Sequence, residues 1–224
     1  MKTIAVVSPK GGVSKSTLTV HQAACAKRRG DDAMLLDTDV QMSTCEWDGA
    51  GNGLDFPVVG CVRPQVEKFV ASLALPRDYL YIDTAGIPVS NQATIAAVRL
   101  ADLVLIPVTP SALDMWSMGA LVEMVHARIA ITGGALKAVF VITQATHRSR
   151  LARSVREALL ETGLPVLNTV MTRRKSYAEA AASGCTVFDL ADMTARAEML
   201  DIAAEVEAIL APVAMPRPVF VAAA

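Results

Sequence analysis

Ser8-Pro9-Lys10-Gly11-Gly12-Val13-Ser14-Lys15-Ser16-Thr17 stands between an apolar run, Thr3 to Val7, and a helical pattern, Lys15 to Arg29. Small residues in such a turn let successive backbone N–H groups converge on phosphate oxygens, and the helix that follows adds positive potential at its N-terminus. Lys15 supplies a point charge and the Ser16 hydroxyl can reach magnesium. The order strand, loop, helix is the setting a P-loop needs. The strict spelling GxxxxGK[ST] is not met, because Pro9 stands at its first glycine and Ser14 at the glycine before the lysine. If position 14 has positive φ, serine there costs on the order of 1 kcal/mol relative to glycine.

Outward from this loop, apolar runs recur at Thr3–Val7, Ala33–Asp37, Phe56–Val59, Leu80–Asp83, Leu103–Val108, Lys137–Thr143 and Pro165–Val170. Helical patterns fall between and after them, at Lys15–Arg29, Val62–Ser72, Asn91–Leu100, Ala112–Ala130, Ser149–Thr162, Ser176–Ser183 and Met193–Leu210. Alternating strands and helices predict an α/β fold with one doubly wound, mostly parallel sheet, and unbroken apolar runs suit strands covered on both faces. Gly30 and Gly163 sit just past two helices, where a C-terminal glycine belongs. Gly49 to Asp55 reads as a mobile loop. Residues 1–210 read as one domain, and 211–224, with Pro212, Pro216 and Pro218, as a tail that is no regular helix.

Ligands of open α/β sheets bind at the carboxyl ends of the strands, and two acidic stretches end strands here. Leu35-Leu36-Asp37-Thr38-Asp39 closes the second, and Tyr81-Ile82-Asp83-Thr84-Ala85-Gly86 closes the fourth. A single acid after a strand is often only a helix cap. Three acids beside a P-loop point to metal and water chemistry.

The spelling Lys-Gly-Gly-x-x-Lys-[Ser/Thr] resembles the deviant Walker A loop of the ParA/MinD class of ATPases. Asp37-Thr38-Asp39, Gln41-Met42-Ser43, Trp47 and Ile106-Pro107-Val108-Thr109-Pro110 resemble in particular the short ParF-like plasmid partition proteins. The resemblance spans residues 3 to about 190. It implies a P-loop ATPase that dimerises around ATP and Mg2+, with residues 10–17 (Lys10, Gly11, Gly12, Val13, Ser14, Lys15, Ser16 and Thr17) cradling the nucleotide and Lys10 crossing to the partner's phosphates. It further implies Asp39 as the residue that orients or deprotonates the attacking water, and Ser16, Asp37 and Asp83 at the magnesium. Gly86 would donate its N–H to the γ-phosphate, and Thr143, Gln144, Thr172 and Arg173 would flank the adenine. The chain reads Val141-Ile142-Thr143-Gln144 where a guanine-reading Asn-Lys-x-Asp would stand, which favours ATP over GTP. Ser111 followed by Asp114 also reads as an ordinary helix start.

The 224 residues carry 53% hydrophobic and 19% charged side chains, too apolar for a disordered chain, while the apolar runs are too short to span a bilayer. Cys25, Cys45, Cys61 and Cys185 have no metal-ligand spacing, and the first residues lack a signal peptide, so a cytoplasmic protein is expected. A net charge of −1 excludes binding to nucleic acid through overall charge. It conceals a net of +5 between Arg148 and Lys175, contributed by Arg148, Arg150, Arg153, Arg156, Arg173, Arg174 and Lys175 against two glutamates.

By the family resemblance, Arg173, Arg174 and Lys175 in the last loop are expected to bind DNA non-specifically and place the protein on the nucleoid; Arg150 and Arg153, three apart on one basic helix face, read either as part of the same DNA-binding patch or as a solvated face. No residues before the first strand supply the helix-turn-helix extension of larger ParA proteins, so operator recognition falls to a ParB/ParG-like adaptor. Plasmid or chromosome partition is therefore the leading expectation. The alternatives are positioning of another cargo such as a carboxysome or chemoreceptor cluster, a MinD-like membrane-cycling ATPase, or a nucleotide-dependent binding module with negligible turnover. A proline-broken tail argues against the amphipathic anchor a membrane-cycling protein needs.

Overall fold

The computed structural model describes residues 1–63, 65–73, 77–86, 91–146 and 150–212. In chain order the elements are β1 (Lys2–Val6), α1 (Lys15–Arg29), β2 (Ala33–Asp37), α2 (Ser43–Gly49), β3 (Val58–Gly60), α3 (Val66–Ser72), β4 (Tyr79–Asp83) and α4 (Gln92–Leu100). They continue with β5 (Leu103–Val108), α5 (Ala112–Ser117), α6 (Gly119–Ile131), β6 (Lys137–Ile142), α7 (Arg150–Leu160), α8 (Lys175–Ala182), a 3-10 turn at Val187–Asp189 and α9 (Met193–Leu210). The six strands pair in parallel in the order β3-β2-β4-β1-β5-β6, the doubly wound α/β sheet read from the sequence.

Successive side chains of a strand point to opposite faces, which divides the apolar runs between two cores. Ile4, Val6, Leu35, Tyr81, Leu103, Leu105 and Val141 pack on one face with residues of α1, α8 and α9. Ala5, Val7, Leu36, Ile82, Val104, Ile106 and Phe140 pack on the other with residues of α4, α6 and α7. Both faces of the inner strands are thus dry, which accounts for the high hydrophobic fraction, and no described helix is long and apolar enough to cross a membrane. Register aligns Val6 with Asp83 and Asp37 with Asp83, so the strand ends that open into the phosphate loop and the two acidic loops lie side by side.

The expected seventh strand, Pro165–Val170, is not a strand. Its backbone touches β6 only at isolated points, the bridge from Phe140 to Val166 among them. Side chains take the groups a ladder would use. Glu205 accepts the N–H groups of Asn168 (2.6 Å) and Thr169 (2.7 Å), while the Arg156 guanidinium donates to the carbonyls of Leu167 (2.6 Å) and Asn168 (3.1 Å). Arg156 therefore braces this segment. The single helix expected over Ala112–Ala130 is two, with Met118 between them bonded to Met115 at i−3 and Ser117 Oγ donating to the Asp114 carbonyl at 2.7 Å. The expected helix start there lacks its cap bond, since Ser111 makes none and Asp114 instead accepts from the Thr109 hydroxyl.

One helix, α2, went unread. Gly51 and Gly53 follow it with positive φ, and the Asp48 carboxylate accepts the Leu54 N–H at 2.8 Å, so the loop expected to be mobile is tied down. A Cβ on Gly51 would stand 2.2 Å from the Ser183 carbonyl oxygen. Only glycine permits that contact. The tail beyond residue 212, Arg148 and the expected start of the helix at Ser149 lie outside the described residues.

Candidate functional site

The loop after β1 enters α1 through Ser14, which adopts the left-handed conformation at φ 70° and ψ 29°. The serine thus occupies the backbone geometry where glycine is the ordinary choice. No side chain caps α1, so its first-turn N–H groups stay open to an anion, and Lys27, Arg28 and Arg29 in its last turn complement the dipole. Beside the loop lies a cleft of about 740 Å³, lined by Gly11, Gly12, Ser14, Lys15, Ser16 and Thr17 on one side and by Asp39, Gly86 and Gln144 among others.

Lys15 is buried, and its ammonium donates to the Lys10 carbonyl at 2.8 Å. Burial lowers its pKa, and the neighbouring Asp83 and Asp39 carboxylates push it back up. Asp83 is fully buried, and burial raises its pKa to about 7 against the stabilising bonds from Ser16 and Thr19. Its Oδ1 accepts from the Thr19 hydroxyl at 3.3 Å, while Oδ2 has no partner. An unpartnered buried carboxylate oxygen beside a serine hydroxyl suits a hard divalent cation that takes its remaining ligands from phosphate and water. The described residues contain no cluster of three His, Cys, Asp or Glu able to hold a metal without such help.

Asp37 is placed differently. Its Oδ2 accepts from the Thr44 N–H (2.9 Å), the Thr44 hydroxyl (2.7 Å) and the Cys45 N–H (3.3 Å), and its Oδ1 accepts from the Asp39 N–H (3.0 Å). These bonds pin the start of α2 and the turn that carries Asp39. With both its oxygens engaged, Asp37 acts on the site by shaping that turn. Asp39 itself is half-buried on the cleft wall, its Oδ1 accepting the Gln41 N–H at 3.0 Å.

Thr38 and Gly86 fix the relative height of the three loops. Thr38 donates its N–H (3.0 Å) and hydroxyl (2.7 Å) to the Asp83 carbonyl, and Thr84 donates its hydroxyl to the Val6 carbonyl at 2.8 Å. A Cβ on Gly86 would meet the Gly11 nitrogen at 2.7 Å and the Lys10 carbonyl oxygen at 2.8 Å. Any larger residue there pushes on the phosphate loop.

Three of the four residues expected at the base make bonds within the chain. Thr143 donates its hydroxyl to the Val13 carbonyl at 3.0 Å, and Gln144 donates its amide to the Gly12 carbonyl and, at 3.0 Å, to Ser14 Oγ. Thr172 gives its N–H (3.0 Å) and hydroxyl (2.5 Å) to Glu198 of α9, which also accepts from Tyr177 at 3.0 Å. Of the basic residues, Arg150, Arg153, Arg173 and Lys175 are exposed, whereas Arg174 is held by Asp192 at 2.6 Å. These pairings are not legible in sequence, because Gln144 to Gly12 and Glu198 to Thr172 are long-range pairs with no local pattern.

A phosphate loop with a second lysine after β1, acidic ends on the neighbouring strands β4 and β2, and a glycine packed on the loop come together at one edge of the sheet. The CobQ/CobB/MinD/ParA nucleotide binding domain family matches residues 4–187. The chain belongs to this family. It is 31% identical over 192 residues to the maintenance of carboxysome distribution protein A of Halothiobacillus neapolitanus, covering 84% of this chain and 87% of that protein. It is 27% identical over 182 residues to the protein ParA of Rhizobium radiobacter, covering 79% of this chain and 81% of that one. Among solved structures, an ATP complex of a McdA variant from Cyanothece superposes with a TM-score of 0.72 over 95% of this chain and 98% of that one, at 16% identity. That likeness is one of fold, the P-loop fold of the ParA/MinD ATPases.

Proposed function

We propose that this chain is a ParA-type ATPase that positions a cellular cargo, with ATP and Mg2+ in the cleft of about 740 Å³. The observation that carries the chemistry is the meeting of Lys15, Ser16 and the unpartnered Asp83 oxygen at the open N-terminus of α1. Lys15 and Lys10 neutralise phosphate charge, Ser16 and Asp83 hold magnesium, and Asp39 aligns the attacking water. Bound magnesium supplies positive charge to the phosphate oxygens. Asp37 keeps Asp39 in place, and Gly86 presents its N–H to the terminal phosphate.

Two copies close around ATP, with Lys10 reaching the partner's nucleotide. The ATP-bound dimer binds DNA through Arg150, Arg153, Arg173 and Lys175, a phosphate-dominated contact that resides on the nucleoid. Residues 1–210 form the ATPase domain and 211–224 a tail.

Cargo positioning is favoured over plasmid partition, the leading expectation from sequence, by the 31% identity to the carboxysome distribution protein. The ParA of Rhizobium radiobacter, at 27%, keeps partition as the second reading. Pairing the purified chain with candidate adaptor proteins tests the choice. An adaptor that raises phosphate release and also binds a carboxysome shell supports positioning, whereas one that binds a DNA centromere supports partition.

A further inference from the structure

Three carbonyls of the phosphate loop are held by donors outside the loop itself. Gln144 Nε2 bonds the Gly12 carbonyl, Thr143 Oγ1 bonds the Val13 carbonyl at 3.0 Å, and the Leu18 N–H bonds the Ser14 carbonyl at 2.9 Å. A trans peptide plane points its C=O and the following N–H in opposite directions. Fixing the Gly12 and Val13 carbonyls therefore aims the N–H groups of Val13 and Ser14 the other way, as a phosphate cradle requires.

Gln144 makes a second bond, from Nε2 to Ser14 Oγ at 3.0 Å, and both residues have positive φ, 70° at Ser14 and 53° at Gln144. Non-glycine residues in this conformation persist where the surroundings over-determine them. Here the surroundings are each other: the serine hydroxyl that makes the loop misspelled is the group the glutamine amide grips.

We propose that Gln144 is a positioning residue of the phosphate loop, a clamp that holds Ser14 in the left-handed conformation a glycine would adopt unaided. The inference rests on the nucleotide-binding reading of the cleft. Gln144 thereby compensates for the departure at position 14 and has a different task from reading the base.

The test is a double-mutant cycle on Mg2+-ATP affinity with the full chain: wild type, Ser14→Gly, Gln144→Ala and the double variant, with thermal midpoints taken without nucleotide. Gln144→Met, which keeps the side chain's length and removes its donors, repeats the Gln144 arm without opening a hole. Both Gln144 variants are expected to weaken ATP binding roughly tenfold in the serine background, and no more than about twofold when position 14 is glycine. Ser14→Gly in the Gln144→Ala chain restores wild-type affinity. Equal losses in the two backgrounds, or no loss in either, would overturn the clamp while leaving the site intact. A wild-type chain that binds no ATP would overturn the nucleotide site itself, and the clamp with it.

Discussion

Gly86 and Gly11 meet backbone to backbone: a Cβ on Gly86 would lie 2.7 Å from the Gly11 nitrogen and 2.8 Å from its Cα. The loop that ends β4 is therefore in mechanical contact with the loop that ends β1, and a change at one is felt at the other. Gly86→Ala forces one of them to move, at a cost of about 1–3 kcal/mol for overpacking. The expected outcome is ATP binding weakened at least about tenfold with the fold retained, read by nucleotide titration and circular dichroism.

Lys15→Ala removes the buried ammonium that bonds the Lys10 carbonyl at 2.8 Å. ATP binding is expected to disappear. Because the site charge is desolvated in the free chain and is partnered by a carbonyl, the variant should stay folded, with a thermal midpoint within a few degrees of wild type.

Asp39→Ala touches no bond of the core and leaves the four contacts to Asp37 oxygens otherwise in place, since Asp39 contributes its backbone N–H there. ATP-dependent dimers should form by light scattering, and phosphate release should fall by at least about a hundredfold, the range of a lost general base. Wild-type turnover in this variant would remove Asp39 from the mechanism.

His21 lies fully buried between the Thr17 carbonyl, 2.7 Å from Nδ1, and the Val187 N–H, which donates to Nε2 at 3.1 Å. Burial lowers its pKa from 6.5 to about 4. The unfolded chain therefore takes up the proton first, so the contribution of His21 is fully present above pH 6.5 and is lost as pH falls towards 4. The loss amounts to roughly 3 kcal/mol at the acid end. Urea unfolding at pH 7, 6 and 5 should show this slope in wild type and a flatter one in His21→Gln.

Asp83 has the opposite sign. Its pKa is raised to about 7, so its contribution is present below the unfolded value near 4 and is lost as pH rises through 7. Above pH 7 the ion is buried without a partner on Oδ2. Mg2+-ATP should therefore raise the thermal midpoint more at pH 8 than at pH 6, and chelation should abolish the difference. Asp83→Asn should stabilise the nucleotide-free chain at pH 8 and lose the magnesium effect.

The parts legible in sequence were those written in local pattern. Six strands and the phosphate loop follow from apolar runs and from the spacing of Lys10, Lys15 and Ser16, and the positive φ considered for Ser14 is what the backbone adopts. Pro165–Val170 misled because its Val, Leu and Val have strand character while the partners of its backbone are Glu205 and Arg156, distant in sequence. Residues Ser43 to Gly49 give no helix signal in sequence because seven residues carry little periodicity, and the bonds that start α2 come from Asp37. Gln144 and Thr172 were placed at the base by resemblance, whereas Gly12, Ser14 and Glu198 claim their side-chain donors.

Phosphate release by the purified chain with Mg2+-ATP, in the presence and absence of DNA, tests the ATPase reading most directly. Slow release by wild type, faster with DNA and absent from Lys15→Ala, is the expected result. No release from wild type under any of these conditions, or equal release from Lys15→Ala, would contradict it.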